Sequence, residues 1–155
     1  MKNRLEILRL EIDRLIYEKQ PGDRRYFISH LYGVSSFCSL LALRRSLNAE
    51  LAATCGMLHD IYQITAGVMK DHAIKGAEVA KTLLKTVKLY NDAEIETITT
   101  AISRHSAKKK VHEPYDEVLK DADVMDHCLH NPDFPVLEKE IARYKNLLLE
   151  LGVFH

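Results

Sequence analysis

His59 and Asp60 stand side by side at the end of an apolar run, Leu51-Ala52-Ala53-Thr54-Cys55-Gly56-Met57-Leu58. An imidazole and a carboxylate adjacent at a helix end offer one nitrogen and one oxygen to the same point. That is the start of a metal site when other donors arrive from elsewhere in the chain. His30 lies earlier, His72 and His105 lie later, and Asp123 lies later still. If they converge, His30, His59, Asp60 and Asp123 hold one ion. His72 and His105 then complete a second site, with Asp60 as the natural bridge. Imidazole with carboxylate suits a divalent transition metal (Fe, Mn, Co, Ni or Zn), one or two ions per chain. Two neighbouring ions acidify a shared water and neutralise phosphoryl oxygens during in-line displacement, so no separate nucleophile is needed.

Helices must position these groups. Leu5, Leu8, Ile12, Leu15 and Ile16 mark one face of a first helix, which Pro21-Gly22 breaks. Asp23 is a candidate cap for a second helix, which carries Tyr26, Phe27, His30, Leu31, Val34, Cys38 and Leu41 on one face, so His30 points inward. Asn48 suits the cap of a third helix ending near His59-Asp60. Residues 61–70, with Gly67 and no clear period, read as a loop over the site. A fourth helix from near Asp71 holds His72 in its first turn. Asn91-Asp92 caps a fifth that ends near His105. Ser106 to Glu113 is a polar loop containing Lys108-Lys109-Lys110. Pro114 suits the first turn of a sixth helix, which Asn131-Pro132-Asp133 ends. A last amphipathic helix carries Val136, Leu137, Ile141, Tyr144, Leu147, Leu148 and Leu151. No segment alternates as a strand would. The expectation is one all-α domain over 1–155, a bundle of about six to seven helices with its core at roughly 24–128.

Composition narrows the function classes. Lys+Arg equals Asp+Glu, giving zero net charge, which argues against stable nucleic-acid or membrane-surface binding. Cys38, Cys55 and Cys128 show no CxxC spacing and read as reduced, buried thiols, so a cytoplasmic setting is expected. The segment Met1-Lys2-Asn3-Arg4-Leu5-Glu6 lacks the apolar core of a signal peptide, and no apolar run approaches a membrane span.

The ordered set His30, His59-Asp60 and Asp123, the last within Lys120-Asp121-Ala122-Asp123-Val124-Met125-Asp126, resembles the HD-domain superfamily of metal-dependent phosphohydrolases. The resemblance covers roughly residues 24–128. It implies a helical fold whose metal is bound by those four residues. His72-Ala73-Ile74-Lys75-Gly76-Ala77 and Ala101-Ile102-Ser103-Arg104-His105 look like the two extra histidine positions of dinuclear members, which implies a second metal on His72 and His105. Some motifs differ. Ile61-Tyr62-Gln63 stands where many relatives place Gly-Lys, the Glu-Asp pair of ppGpp hydrolases is missing, and the Gly-Tyr-Pro motif of cyclic-di-GMP phosphodiesterases is absent. Those two substrates are therefore not expected.

The expected activity is hydrolysis of a nucleotide or other small phosphate ester by a metal-activated water, a phosphomonoesterase or phosphodiesterase. Asp60 would act at the reacting centre, with Lys75 and Arg104 as candidates to contact phosphate; Arg24, Arg25 and the Lys108–Lys110 run are weaker candidates. For each of these the competing reading is a solvated surface charge. Asp123 competes with Asp121 and Asp126, the bland alternative being that all three are solvated helix charges. His112, His127, His130 and His155 receive no role, although His127 and His130 are spaced to pick up adventitious metal. Two other function classes fit the same residues. The six-ligand set also resembles the di-iron oxygenases of the superfamily, and the altered loop after Asp60 suits a non-catalytic nucleotide or metal sensor. The first and last helices offer a surface for a homodimer.

Overall fold

A computed structural model describes residues 3–153. Met1, Lys2, Phe154 and His155 lie outside the described residues, and with them the start of the N-terminal reading and the unassigned His155. The described residues form eight α-helices: α1 (Arg4–Lys19), α2 (Arg24–Arg44), α3 (Ala49–Leu58), α4 (Ile61–Ala66), α5 (His72–Val87), α6 (Asp92–Arg104), α7 (Pro114–His130) and α8 (Ile141–Glu150). Among them there is no strand.

The caps explain most boundaries. The Asn48 side chain accepts from the Leu51 amide at 2.9 Å. Asn91 and Glu94 form a reciprocal capping box at the start of α6, satisfying two amide donors that a helix start leaves free. Pro114 opens α7 and Asn131 closes it. Asp23 precedes α2 but makes no side-chain capping bond.

Four expectations change. The stretch after Asp60 is not all loop: Ile61–Ala66 forms α4, stopped by Gly67 in the left-handed region at φ 66°. Ile61 and Ile64 are fully buried, and α4 packs against α1 and α5, so tertiary contacts make a helix too short to show a period. The final helix starts at Ile141, not near Val136; Glu138–Glu140 is a single 3-10 turn, and Leu137 is exposed. Tyr26 is also exposed rather than part of the buried α2 face. Finally, α2 is long and apolar enough by composition to cross a membrane. Here it packs on α3 and α7 and buries Phe27, Leu31, Val34, Cys38 and Leu41 between them.

The crossing of α2 and α3 depends on Gly56. A Cβ at this position would lie 2.7 Å from Ser35 Cα and 2.8 Å from Ser35 N, so neighbouring backbone would have to move. The Gly56 carbonyl also accepts from His59 Nδ1 at 2.8 Å. Gly56→Ala is therefore expected to destabilise the fold by about 1–3 kcal/mol and to lower metal retention through His59. Urea denaturation and metal analysis of the variant test this together; a wild-type midpoint would show that the two helices separate freely.

Candidate metal centre

The centre is built where helix ends meet inward faces. His30 comes from the middle of α2, His59 and Asp60 from the α3–α4 junction, His72 from the start of α5, His105 from the end of α6, and Asp123 from the middle of α7. The structure brings all six together. His30, His59, His105, Asp60 and Asp123 are buried, and His72 is partly so.

Each histidine is oriented from behind. His59 Nδ1 donates to Gly56 O at 2.8 Å, His72 Nδ1 to Met69 O at 2.9 Å and His105 Nδ1 to Ile102 O at 2.7 Å. A carbonyl only accepts, so these three rings carry their proton on Nδ1 and, when neutral, present a lone pair on Nε2. His30 Nδ1 is held at 2.7 Å by Asp126 Oδ2, a carboxylate acting in the same way. The Nε2 atoms then face each other in two pairs, His30 with His59 at 3.1 Å and His72 with His105 at 3.1 Å. Two lone pairs at that distance repel unless a cation or a proton sits between them.

Asp60 lies between the two pairs. Its Oδ2 is 3.4 Å from His30 Nε2 and 3.3 Å from His59 Nε2, while its Oδ1 is 3.6 Å from His72 Nε2 and 3.5 Å from His105 Nε2. Asp123 Oδ1 joins the first group, 3.4 Å from His30 Nε2 and 3.6 Å from His59 Nε2. Asp60 Oδ1 and Asp123 Oδ1 are buried and have no hydrogen-bond partner, a costly state that bound metal relieves. Donors sharing an ion at about 2.1 Å each stand about 3–3.5 Å apart. The residues therefore fit divalent metal: His30, His59 and Asp60 could hold an ion together, as could Asp60, His72 and His105, while Asp123 could join His59 and His105 or His30 and His127.

The electrostatics of the cluster follow from its two buried carboxylates. Burial works against a charged His59, yet Asp60 and Asp123 outweigh it and lift His59 to about 10. Burial also opposes ionisation of Asp60 and Asp123. The surrounding histidines overcome it at Asp60, and Lys108 with His59 and His127 at Asp123, so both carboxyls fall well below the usual range. Burial pushes His105 down despite Asp60. The cluster is an anionic pair of carboxylates that gathers whatever positive charge is present.

Three supporting residues carried no clear sequence signal. Asp126, one turn beyond Asp123 on α7, is buried and orients His30. Lys108 is buried although it belongs to a tri-lysine run; its ammonium binds Asp123 Oδ2 and the His105 carbonyl. Lys109 and Lys110 are the solvated members. His127 stacks on His30 with centroids 5.3 Å apart, places Nε2 3.4 Å from Asp123 Oδ1, and is held by Glu140 Oε1 at 2.9 Å from its Nδ1. The spacing Asp123, Asp126, His127 at i, i+3, i+4 was the available signal, since those positions share a helix face.

The phosphate candidates lie farther out. The Arg104 guanidinium is bound to buried Asp116 at 2.8 Å, which engages it away from the cluster. Lys75 is exposed and sits over the Tyr62 ring, 5.4 Å from its centroid. Arg24 covers Tyr17. Asp121 is neither a ligand candidate nor solvated: Arg45 and Arg143 bind it at 2.6 and 2.8 Å.

An all-helical domain with this histidine–aspartate centre defines a class. Residues 27–129 match the HD domain family, and the chain belongs to that family. The structure also resembles a protein from an uncultured Thermotogales bacterium described as a predicted HD superfamily hydrolase. The TM-score is 0.64 at 23% identity, covering 97% of this chain and 96% of that one. The shared fold thus extends over α1 and α8, beyond the family match.

Proposed function

We propose that this protein is a dinuclear metal-dependent phosphohydrolase acting on a small phosphate ester. The observation that carries this reading is the division of one carboxylate, Asp60, between two facing imidazole pairs whose outward nitrogens are already occupied. A bound divalent pair supplies an acidified water and neutralises phosphoryl charge. The protein's part is to hold that pair rigidly. Asp126 and the carbonyls of Gly56, Met69 and Ile102 fix the four imidazoles, and such outer bonds set ring orientation and basicity. Lys108 occupies Asp123 Oδ2 and so leaves Oδ1 to face His30 and His59. The hydrolase description of the Thermotogales protein supports the same reaction class.

The test is phosphate release from a panel of phosphomonoesters and diesters by protein reconstituted with Mn or Fe, in air and under anaerobic conditions. Metal-dependent release that is equal in both atmospheres is expected. Turnover that requires O₂ and releases no phosphate would replace this reading with the oxygenase chemistry the same ligands allow.

A further inference from the structure

A cavity of about 600 Å³ adjoins the metal centre on the side of α2 and α7. Its size is typical of a site for a small organic molecule. Tyr26 and His127 belong to both features: each ring stacks with His30, at 5.7 Å and 5.3 Å between centroids, and both line the cavity. The far wall is apolar, made by Phe134, Val136 and Leu137 from the segment between α7 and α8. Phe134 and Leu137 are 69% and 54% exposed, large apolar groups left in water beside a polar centre.

The charges in the wall decide which end of a ligand belongs there. Among the described residues Arg25 is the cavity's one arginine or lysine, against the carboxylates of Asp23, Asp126 and Glu140, of which Asp126 and Glu140 are bound to His30 and His127. Such a wall offers a phosphate little net positive charge; that group belongs at the divalent metal, and the apolar part of the cavity is left for an uncharged end. Resting on the phosphohydrolase reading, we propose that the substrate is a phosphate monoester of an alcohol with a largely apolar, ring-containing body. The phosphate sits at the metal centre and the body passes Tyr26 and His127 to lie against Phe134, Val136 and Leu137. Hydrolysis breaks the phosphorus–oxygen bond with water, giving inorganic phosphate and the free alcohol.

Calorimetric titration tests this without turnover. The probes are naphthylmethylphosphonate and methylphosphonate, titrated into Mn-loaded protein. The naphthyl probe is expected to bind about ten-fold tighter or more, as burial of a ring predicts. The double variant Phe134→Ala with Leu137→Glu changes exposed side chains and should keep the fold. It should bring the two affinities to within about two-fold while leaving methylphosphonate binding unchanged. Equal affinities in the wild type, or a preference that the double variant leaves intact, overturn the proposed substrate class while leaving the phosphohydrolase reading in place. Failure of both probes to bind fully metal-loaded protein overturns both.

Discussion

Asp60→Asn should strip metal from both halves of the centre at once. Among the described residues Asp60 is the one whose two oxygens face different imidazole pairs, Oδ2 toward His30 and His59 and Oδ1 toward His72 and His105. Asparagine keeps the shape but offers one oxygen, and turns an amide donor toward one pair. It also removes a negative charge that the burial of the site makes strongly felt. Elemental analysis of dialysed wild type should give about two ions per chain, falling below about one in Asp60→Asn. The double variant His72→Ala with His105→Ala should retain about one, because His30, His59, Asp60 and Asp123 are untouched. Phosphoester hydrolysis by Asp60→Asn should fall by about a thousand-fold or more, since the charge stabilisation supplied by the metals is worth several kcal/mol. Two ions retained by a folded Asp60→Asn protein would remove Asp60 as the bridge.

The contrast between these two variants also marks what a sequence can carry. The positions of His59-Asp60, His30, His72 and His105 were legible because each sits on a helical pattern or at a helix end that the local sequence specifies: Asn48 and Asn91 start α3 and α6, and inward-facing His30 follows from the spacing of Phe27, Leu31 and Val34; Asp123 was singled out from Asp121 and Asp126 by following an alanine and by the family resemblance. The supporting residues were not legible for a different reason. Lys108 looks like a solvated charge within Lys108-Lys109-Lys110, and only the approach of α7 to the end of α6 buries it against Asp123. Likewise α4 has too few residues for a period, and its helix exists because Ile61 and Ile64 fit between α1 and α5. The segment from Phe134 to Leu137, read partly as helix, instead lines the cavity beside His127. Local patterns placed these six side chains on their helices; the shape around them depends on contacts distant in sequence.

Lys108 gives the second large effect, because its neighbours leave it no alternative. Its ammonium is buried and donates to Asp123 Oδ2 and to the His105 carbonyl at 2.8 Å, one contact to each half of the centre. Its own carbonyl accepts from Arg143 at 2.9 Å, so the loop between α6 and α7 is fixed from both sides. Lys108→Met preserves length and apolar volume but leaves Asp123 Oδ2 without a partner, beside an Oδ1 that already lacks one. Removing one member of a buried ion pair typically costs about 3–5 kcal/mol. Metal-free Lys108→Met is expected to lose about that much in urea denaturation at pH 7, and added Mn should restore part of it by supplying positive charge to Asp123 from the other side. Asp123→Asn with Lys108→Met should cost less than the sum of the two single changes, since the second substitution removes the stranded charge. Strict additivity, or a loss below about 1 kcal/mol in Lys108→Met, would mean that the pair is solvated in solution and Lys108 does not position Asp123.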